Sequence, residues 1–452
     1  MNKKISCIFV GFIFLVTTLS ASGSILLIEN DQHHIEDRDE TLRCSDVLDG
    51  GWLEIRNEVE IIHLSGSNYE MGYQHGYLLK EKALQNFRAY VNFSKILGFC
   101  YDDFLSLWYE MKEFVPQAYI DEMQGLADAT NMSLDDVAVG NIVTVYAHCS
   151  GWAGWGPATF DGRLIHVRSL DFPPIIIDPI SKKFIQENQI IIIREPDNGY
   201  ASMDPSFAGL VGSLGGFNEK SISTEVLTCW SNDEWHSGTP MIFRQRMILD
   251  HAATANEAIH IINSNRTCGW NFIISDGNNR EGYAVEQTAN HSYAGTWNDS
   301  TESTKPFFSI DHVVRRTNIF INAETAETQR NRYNPRMLPF LSLIFGKNLL
   351  GWGKIPSFIP WRHYIAVSKG INRVWGEMDL NNSMSMLREI YNGRTDFCFN
   401  IIEKLGLYTP LHQWVACPET GDMAISFASR FRNAHRNPVH YFNFYELLNA
   451  EP

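Results

Sequence analysis

The chain has 452 residues, of which 44% are hydrophobic and 20% charged, and its 12 Trp, 17 Tyr and 27 Phe exclude an intrinsically disordered chain. Its length excludes a small disulfide-stapled scaffold and, at roughly 150 residues per domain, points to about three domains. The net charge is −15 with no long Lys/Arg block to offset it, which excludes nucleic acid as a partner.

Lys3 and Lys4 precede an apolar run from Ile5 to Leu19 and then Ser20-Ala21-Ser22-Gly23. That order is the pattern of a secretory signal peptide, here residues 1–23. The alternative is an uncleaved anchor prolonged by Ile25 to Ile28, although small polar residues from Thr17 to Ser24 interrupt the roughly 20 apolar residues a bilayer span needs. The mature chain is expected to be secreted or extracytoplasmic, without a further membrane span.

Trp52 to Leu64 alternates apolar and polar residues like a strand. Ser67 with Glu70 reads as a capping box before a helical stretch from Met71 to Gly98. Tyr101 to Tyr119 is a second amphipathic stretch, and Ser133 with Asp136 caps Val137 to Val145. Residues 24–148 are therefore expected to be helix-rich. From His148 the pattern turns to strands over Leu164–Leu170, Gln189–Arg194, Ala201–Val211, Phe272–Ser275 and Gly282–Glu286, separated by turn signals such as Asp161-Gly162. Helices are expected over Pro240–Asn263 and Met384–Leu405, with an irregular stretch over Asn298–Pro360. Strands and helices do not alternate regularly, so the fold class is α+β.

No HExxH, paired CxxC or EF-hand pattern occurs, so no metal site is indicated. The glycine-rich run Gly209 to Gly216 lacks the Lys-Ser/Thr of a phosphate loop and reads as a turn between strands. The sequence points to no cofactor. Of eight cysteines, Cys7 falls in the signal segment, leaving an odd number: Cys44, Cys100, Cys149, Cys229, Cys268, Cys398 and Cys417. In an oxidising compartment this fits three bridges plus one free thiol, and equally no bridges at all.

Cys149 is the candidate for a working thiol. It opens the strand-rich region, and the Asp161-Gly162 hairpin signal returns the chain so that Arg168 approaches it. A guanidinium beside a thiol favours the nucleophilic thiolate. Trp152 and Trp155 lie close by in a Gly-rich stretch; core packing or the wall of an acyl pocket would account for them.

A Cys followed by an Asp-Gly turn and Arg168-x-x-Asp171-Phe172 resembles the N-terminal-nucleophile hydrolases related to choloylglycine hydrolase and acid ceramidase. The upstream run Gly66-Ser67-Asn68-Tyr69-Glu70-Met71-Gly72-Tyr73-Gln74-His75-Gly76 narrows the resemblance to the penicillin acyltransferase-like peptidases. Gly216-Phe217-Asn218-Glu219-Lys220, Gly238-Thr239-Pro240-Met241 with Arg244 and Arg246, Trp270-Asn271-Phe272 and Arg316-Thr317-Asn318-Ile319-Phe320 follow in collinear order. The resemblance spans roughly Trp52 to Val439.

The resemblance implies a four-layer αββα fold and self-cleavage between His148 and Cys149, leaving residues 24–148 and 149–452 as associated fragments of one domain. Cys149 would then be a new N-terminus whose α-amine serves as general base. By the same resemblance Arg168 stabilises the thiolate, Asp171 orients the amine and Asn318 donates to the oxyanion, with Asn271 as a second candidate. Residues three apart face opposite sides of a straight strand, so a bend is expected near Ser169-Leu170. Two positions depart from the family pattern. His148 stands where relatives often have Gly, and Thr228-Cys229-Trp230 replaces an Asn-bearing stretch. The implied activity is cleavage of a small-molecule linear amide through an acyl-thioester, by an amidohydrolase or acyltransferase. The alternatives are a non-catalytic binding protein of the same fold and a papain-like protease zymogen with His291 as base.

Overall fold

The computed structural model describes residues 42–142, 148–304, 306–329, 358–404 and 409–452. The expected signal segment and the side chain of Cys44 lie outside them. The chain opens with β1 (Leu42–Leu48), β2 (Gly51–Arg56) and β3 (Val59–Gly66). The stretch read as one strand is thus a hairpin. Asn57 and Glu58 take φ of 52° and 62°, the two-residue turn whose twist suits antiparallel strands. Glu is unusual there, so the alternation ran through the turn without a signal.

The capping box at Ser67 is present: Ser67 N donates to Glu70 Oε2 at 2.8 Å, and Glu70 N donates back to Ser67 Oγ. It starts α1 (Asn68–Leu78), which breaks at Leu79 before α2 (Lys80–Ile96). The second helical stretch divides into α3 (Tyr101–Met111) and α4 (Gln117–Thr130), because Pro116 cannot continue a helix but suits the start of one. In α5 (Leu134–Ile142), Asp136 N donates to Ser133 Oγ at 3.1 Å. The upstream glycine motif has a packing role. A Cβ at Gly72 or Gly76 of α1 would collide with the α4 backbone, and one at Gly125 of α4 with that of α1.

After Cys149 the chain forms β4 (His148–Gly156), β5 (Gly162–Asp171), β6 (Gln189–Pro196), β7 (Ser202–Phe207), β8 (Gly215–Asn218) and β9 (Ile222–Thr228). The helix expected over 240–263 is two, α6 (Met241–His251) and α7 (Ala255–Asn263), divided at a second capping box of Thr254 and Glu257. Next come β10 (Trp270–Asp276), β11 (Glu281–Gln287), β12 (Ser292–Gly295) and β13 (Val313–Arg316), then α8 (Phe358–Val374) and α9 (Leu380–Tyr391). Gly393, at φ 68°, divides the second expected helical stretch, which resumes as α10 (Phe397–Lys404). Finally β14 (Pro410–Cys417), β15 (Asp422–Phe427) and β16 (His440–Asn443) form strands with no counterpart in the sequence reading. Every residue of β14 is buried, so it offers no polar alternation to detect.

One sheet has ten strands in the order β1-β2-β3-β6-β7-β8-β9-β10-β11-β12, and the other has six in the order β13-β4-β5-β14-β15-β16. They stack face to face, β4 lying against β9 and β10. The outer face of the first carries α6 and α7, and that of the second carries α8 and α9. The architecture is therefore the four-layer αββα arrangement expected for N-terminal-nucleophile hydrolases, and three domains are replaced by one layered core. The segment before Cys149 is woven into it, since β3 pairs in parallel with β6 from Ile61↔Ile191 to Gly66↔Pro196.

Candidate active site

β4 and β5 pair without a break from His148↔Asp171 to Gly154↔Ile165. The bend expected near Ser169-Leu170 is absent. Arg168 and Asp171 face opposite sides of β5. Arg168, like Cys149, points between the sheets; Asp171 points to the helix layer with Ser169, whose hydroxyl donates to it at 3.0 Å.

Cys149 is 1% exposed. Arg168 Nη2 donates toward its Sγ at 4.0 Å, and its main-chain N–H donates to Asn318 Oδ1 at 3.1 Å. Burial pushes the thiol up to about 12; the Arg168 charge opposes this, and the Asp171 and Glu225 carboxyls add to it. In the uncut chain the thiol is therefore protonated and enclosed.

Asp171 accepts from Tyr391 Oη at 2.6 Å, and Tyr391 also meets Ser150 Oγ at 3.0 Å. Burial raises the Asp171 carboxyl to about 7 against the pull of those hydroxyls and of Arg168. Asp171 acts on Cys149 in two opposed ways, its carboxyl raising the thiol and its main-chain hydrogen bond lowering it.

Asn318 Nδ2 donates to Thr228 O at 2.7 Å. Its amide orientation follows from its partners: only the oxygen can meet the Cys149 N–H, which leaves the nitrogen for the carbonyl. In this state Asn318 holds the Cys149 nitrogen with its oxygen and spends one of its two Nδ2 hydrogens on the Thr228 carbonyl. Thr228, in the stretch expected to depart from the family pattern, contributes its carbonyl. Asn271 takes a different place from the one expected. Its Nδ2 donates to Thr317 O at 2.8 Å and Ile319 O at 2.9 Å, bracketing Asn318 rather than facing the thiol.

Trp152 faces the helix layer, on the side of the strand opposite Cys149, and packs with residues of α8 and α9. Trp155 shares the face of Cys149 but lies six residues along β4, about 20 Å away at strand rise, edge-on to His312 with centroids 6.2 Å apart. Both are core residues; neither walls a pocket at Cys149. His291 pairs with Glu324 at 3.8 Å, and the charged groups acting on Cys149 among the described residues are Arg168, Asp171 and Glu225, so His291 is not placed as its base.

Tyr391 and Glu225 had no signal in the sequence reading. Glu225 is fully buried between the sheets, and a Cβ at Gly151 would overlap its carboxyl. Neither of its oxygens has a hydrogen-bond partner among the described residues; His166 Nε2 lies 3.7 Å from it. Burial raises Glu225 well above the usual carboxylate range, and burial lowers His166 to about 3. A lone charged residue in the β-prone stretch Ile222–Thr228 was the available clue. Among the described residues six cysteines, including Cys149, are free thiols. Among the described residues no three His, Cys, Asp or Glu side chains converge as a metal site, and no helix is long and apolar enough to cross a membrane.

A protein of Archaeoglobus fulgidus without a described function is 24% identical over 61% of this chain and 52% of its own. Protein dcd1B of Dictyostelium discoideum is 27% identical over 47% of each chain. The chain thus spans about half the length of these two curated relatives. Among solved structures, an N-acylethanolamine-hydrolyzing acid amidase ortholog from Caenorhabditis elegans aligns at 14% identity and TM-score 0.36, over 60% of this chain and 93% of that one. Penicillin V acylase from Agrobacterium tumefaciens aligns at 14% identity and TM-score 0.38, over 65% and 86%. Residues 168–337, which hold Arg168, Asp171, Asn271 and Asn318, match the model for acyl-coenzyme A:6-aminopenicillanic acid acyl-transferase, and over these residues the chain is similar to that family.

Proposed function

We propose that this protein is a secreted, self-processing N-terminal-nucleophile amidohydrolase that cleaves a small-molecule linear amide through an acyl-thioester on Cys149. The observation that carries the reading is the pair of contacts at one residue: Cys149 presents its thiol to Arg168 and its own nitrogen to Asn318 Oδ1. A nucleophile whose main-chain nitrogen is held by a side chain is arranged to use that nitrogen once it is freed.

In the processing step the Cys149 sulfur adds to the His148 carbonyl carbon, the C–N bond breaks and the thiol proton passes to the departing nitrogen. Water then hydrolyses the thioester, leaving a carboxylate on His148 and a free amine and thiol on Cys149. In turnover the amine takes the thiol proton while sulfur attacks the substrate carbonyl, then passes that proton to the leaving amine. Water deprotonated by the same amine releases the acid. Transfer of the acyl group to a bound amine uses the same thioester; in a dilute extracellular setting water is the expected acceptor.

Residues on either side of the cut are fastened together, which supports retention of both fragments. Arg246 of α6 bonds Glu122 of α4 at 3.1 Å, and Arg88 of α2 bonds Asp178 at 2.8 Å. The intact mass of the secreted protein tests the reading. Two co-eluting fragments, one starting at Cys149, are expected, and Cys149→Ala should stay whole; a variant cut at the same bond sinks self-cleavage. N-acyl amino acids, β-lactam side-chain amides and dipeptide-like amides form the substrate screen.

A further inference from the structure

The connection from β7 to β8 is almost wholly buried, from Ala208 to Leu214. A buried loop must find partners for its main-chain groups, and here helices preceding Cys149 supply many of them. Asn86 Nδ2 donates to Ala208 O at 2.8 Å, and Gly209 N donates to His75 Nε2 at 2.9 Å. Burial and the charges of Arg194 and Arg246 lower His75 to about 3, so this nitrogen stays an acceptor at neutral pH. Asn141 Oδ1 accepts from Val211 N at 2.9 Å and Gly212 N at 3.2 Å, while its Nδ2 donates to Gly209 O at 3.3 Å.

The far end of this loop is Gly215, at φ 139°, and a Cβ there would collide with Arg168 Nη1. The guanidinium therefore lies directly on this backbone. Its Nε and Nη1 have no hydrogen-bond partner among the described residues. Among the described residues no bidentate carboxylate contact fixes it; packing on Gly215 does, with the buried Glu225 carboxyl close by. A shift of the loop is then a shift of the group that faces the thiol.

We propose that Asn141 and His75 are positioning residues, which hold the 209–215 loop so that Gly215 seats Arg168 against Cys149. The helices ahead of the nucleophile are on this account a working part of the site, not a detachable leader. The inference rests on the amidase reading.

The test compares processed wild type with Asn141→Leu, alone and in an Arg168→Leu background. A misplacement of about 1 Å costs up to about 100-fold in rate, so Asn141→Leu should lower kcat about tenfold or more, with KM within about twofold. In the Arg168→Leu background it should lower kcat no further, as expected of residues acting through one another. Falls that multiply, or an unchanged kcat, overturn the proposal. If Asn141→Leu does not fold, His75→Leu perturbs the same loop from α1, and His75→Gln, which keeps an acceptor for Gly209 N–H, should restore activity. The Arg168 Nε–Hε resonance of the labelled protein gives a readout without turnover. It should shift in Asn141→Leu; an unmoved resonance overturns the positioning role even if the wild type cleaves no amide, an outcome that sinks only the amidase reading.

Discussion

The main-chain nitrogen of Cys149 and the side-chain oxygen of Asn318 lie 3.1 Å apart, joining residues 169 positions apart in the chain. After cleavage the same oxygen can hold one hydrogen of the new amine and leave its lone pair toward the thiol. Asn318→Leu should slow fragment formation and lower kcat by about 100-fold or more, the scale of losing an active-site polar contact. Asn318→Asp keeps the acceptor but loses the bond to Thr228 O, so its loss should be smaller. A time course of fragment formation with steady-state kinetics separates the two.

Arg168 acts on the thiol against burial. Removing it in Arg168→Leu should move the alkylation profile of Cys149 in the processed enzyme to higher pH and lower kcat/KM. Arg168→Lys should recover part of both, since an ammonium restores the charge without the planar guanidinium. Mass spectrometry of the alkylated Cys149 peptide across pH reads the shift.

Asp171 predicts a pH dependence of stability. Its folded pKa, about 7, is above its unfolded value, so the folded state binds the extra proton. That contribution is full below the unfolded value of about 4 and is lost as pH rises toward 7. Asp171→Asn removes the titration, and its stability relative to wild type should increase from pH 4 to 7. Urea unfolding of both proteins in their uncut Cys149→Ala form measures the difference. A constant difference across that window contradicts the assignment.

Trp152 is 0% exposed and packs against α8 and α9. Trp152→Ala should cost about 3–5 kcal/mol, the range for large-to-small core changes. Folded variant should retain wild-type preference among acyl groups; a changed preference would return Trp152 to the substrate pocket.

Much of the local structure was legible because its causes are local. Ser67 with Glu70 and Ser133 with Asp136 mark helix starts within four residues, and β5 follows from a short apolar run after Asp161-Gly162. Pro116, Leu79 and the Asn57-Glu58 turn divided elements that periodicity alone ran together, because an apolar pattern can continue across a break.

By itself the sequence determined the α+β class and the candidate nucleophile; the bend it called for between Arg168 and Asp171 is absent, and the plain alternation of a strand keeps the two on opposite faces. Only the tertiary structure decided what each face meets. It put Trp152 under helices and Glu225 opposite Gly151, gave Asp171 to Tyr391, and made Asn271 a bracket for Asn318. Those partners come from strands and helices tens to hundreds of residues away. Strand register and layer stacking choose among them, and neither is written in the spacing of any one segment.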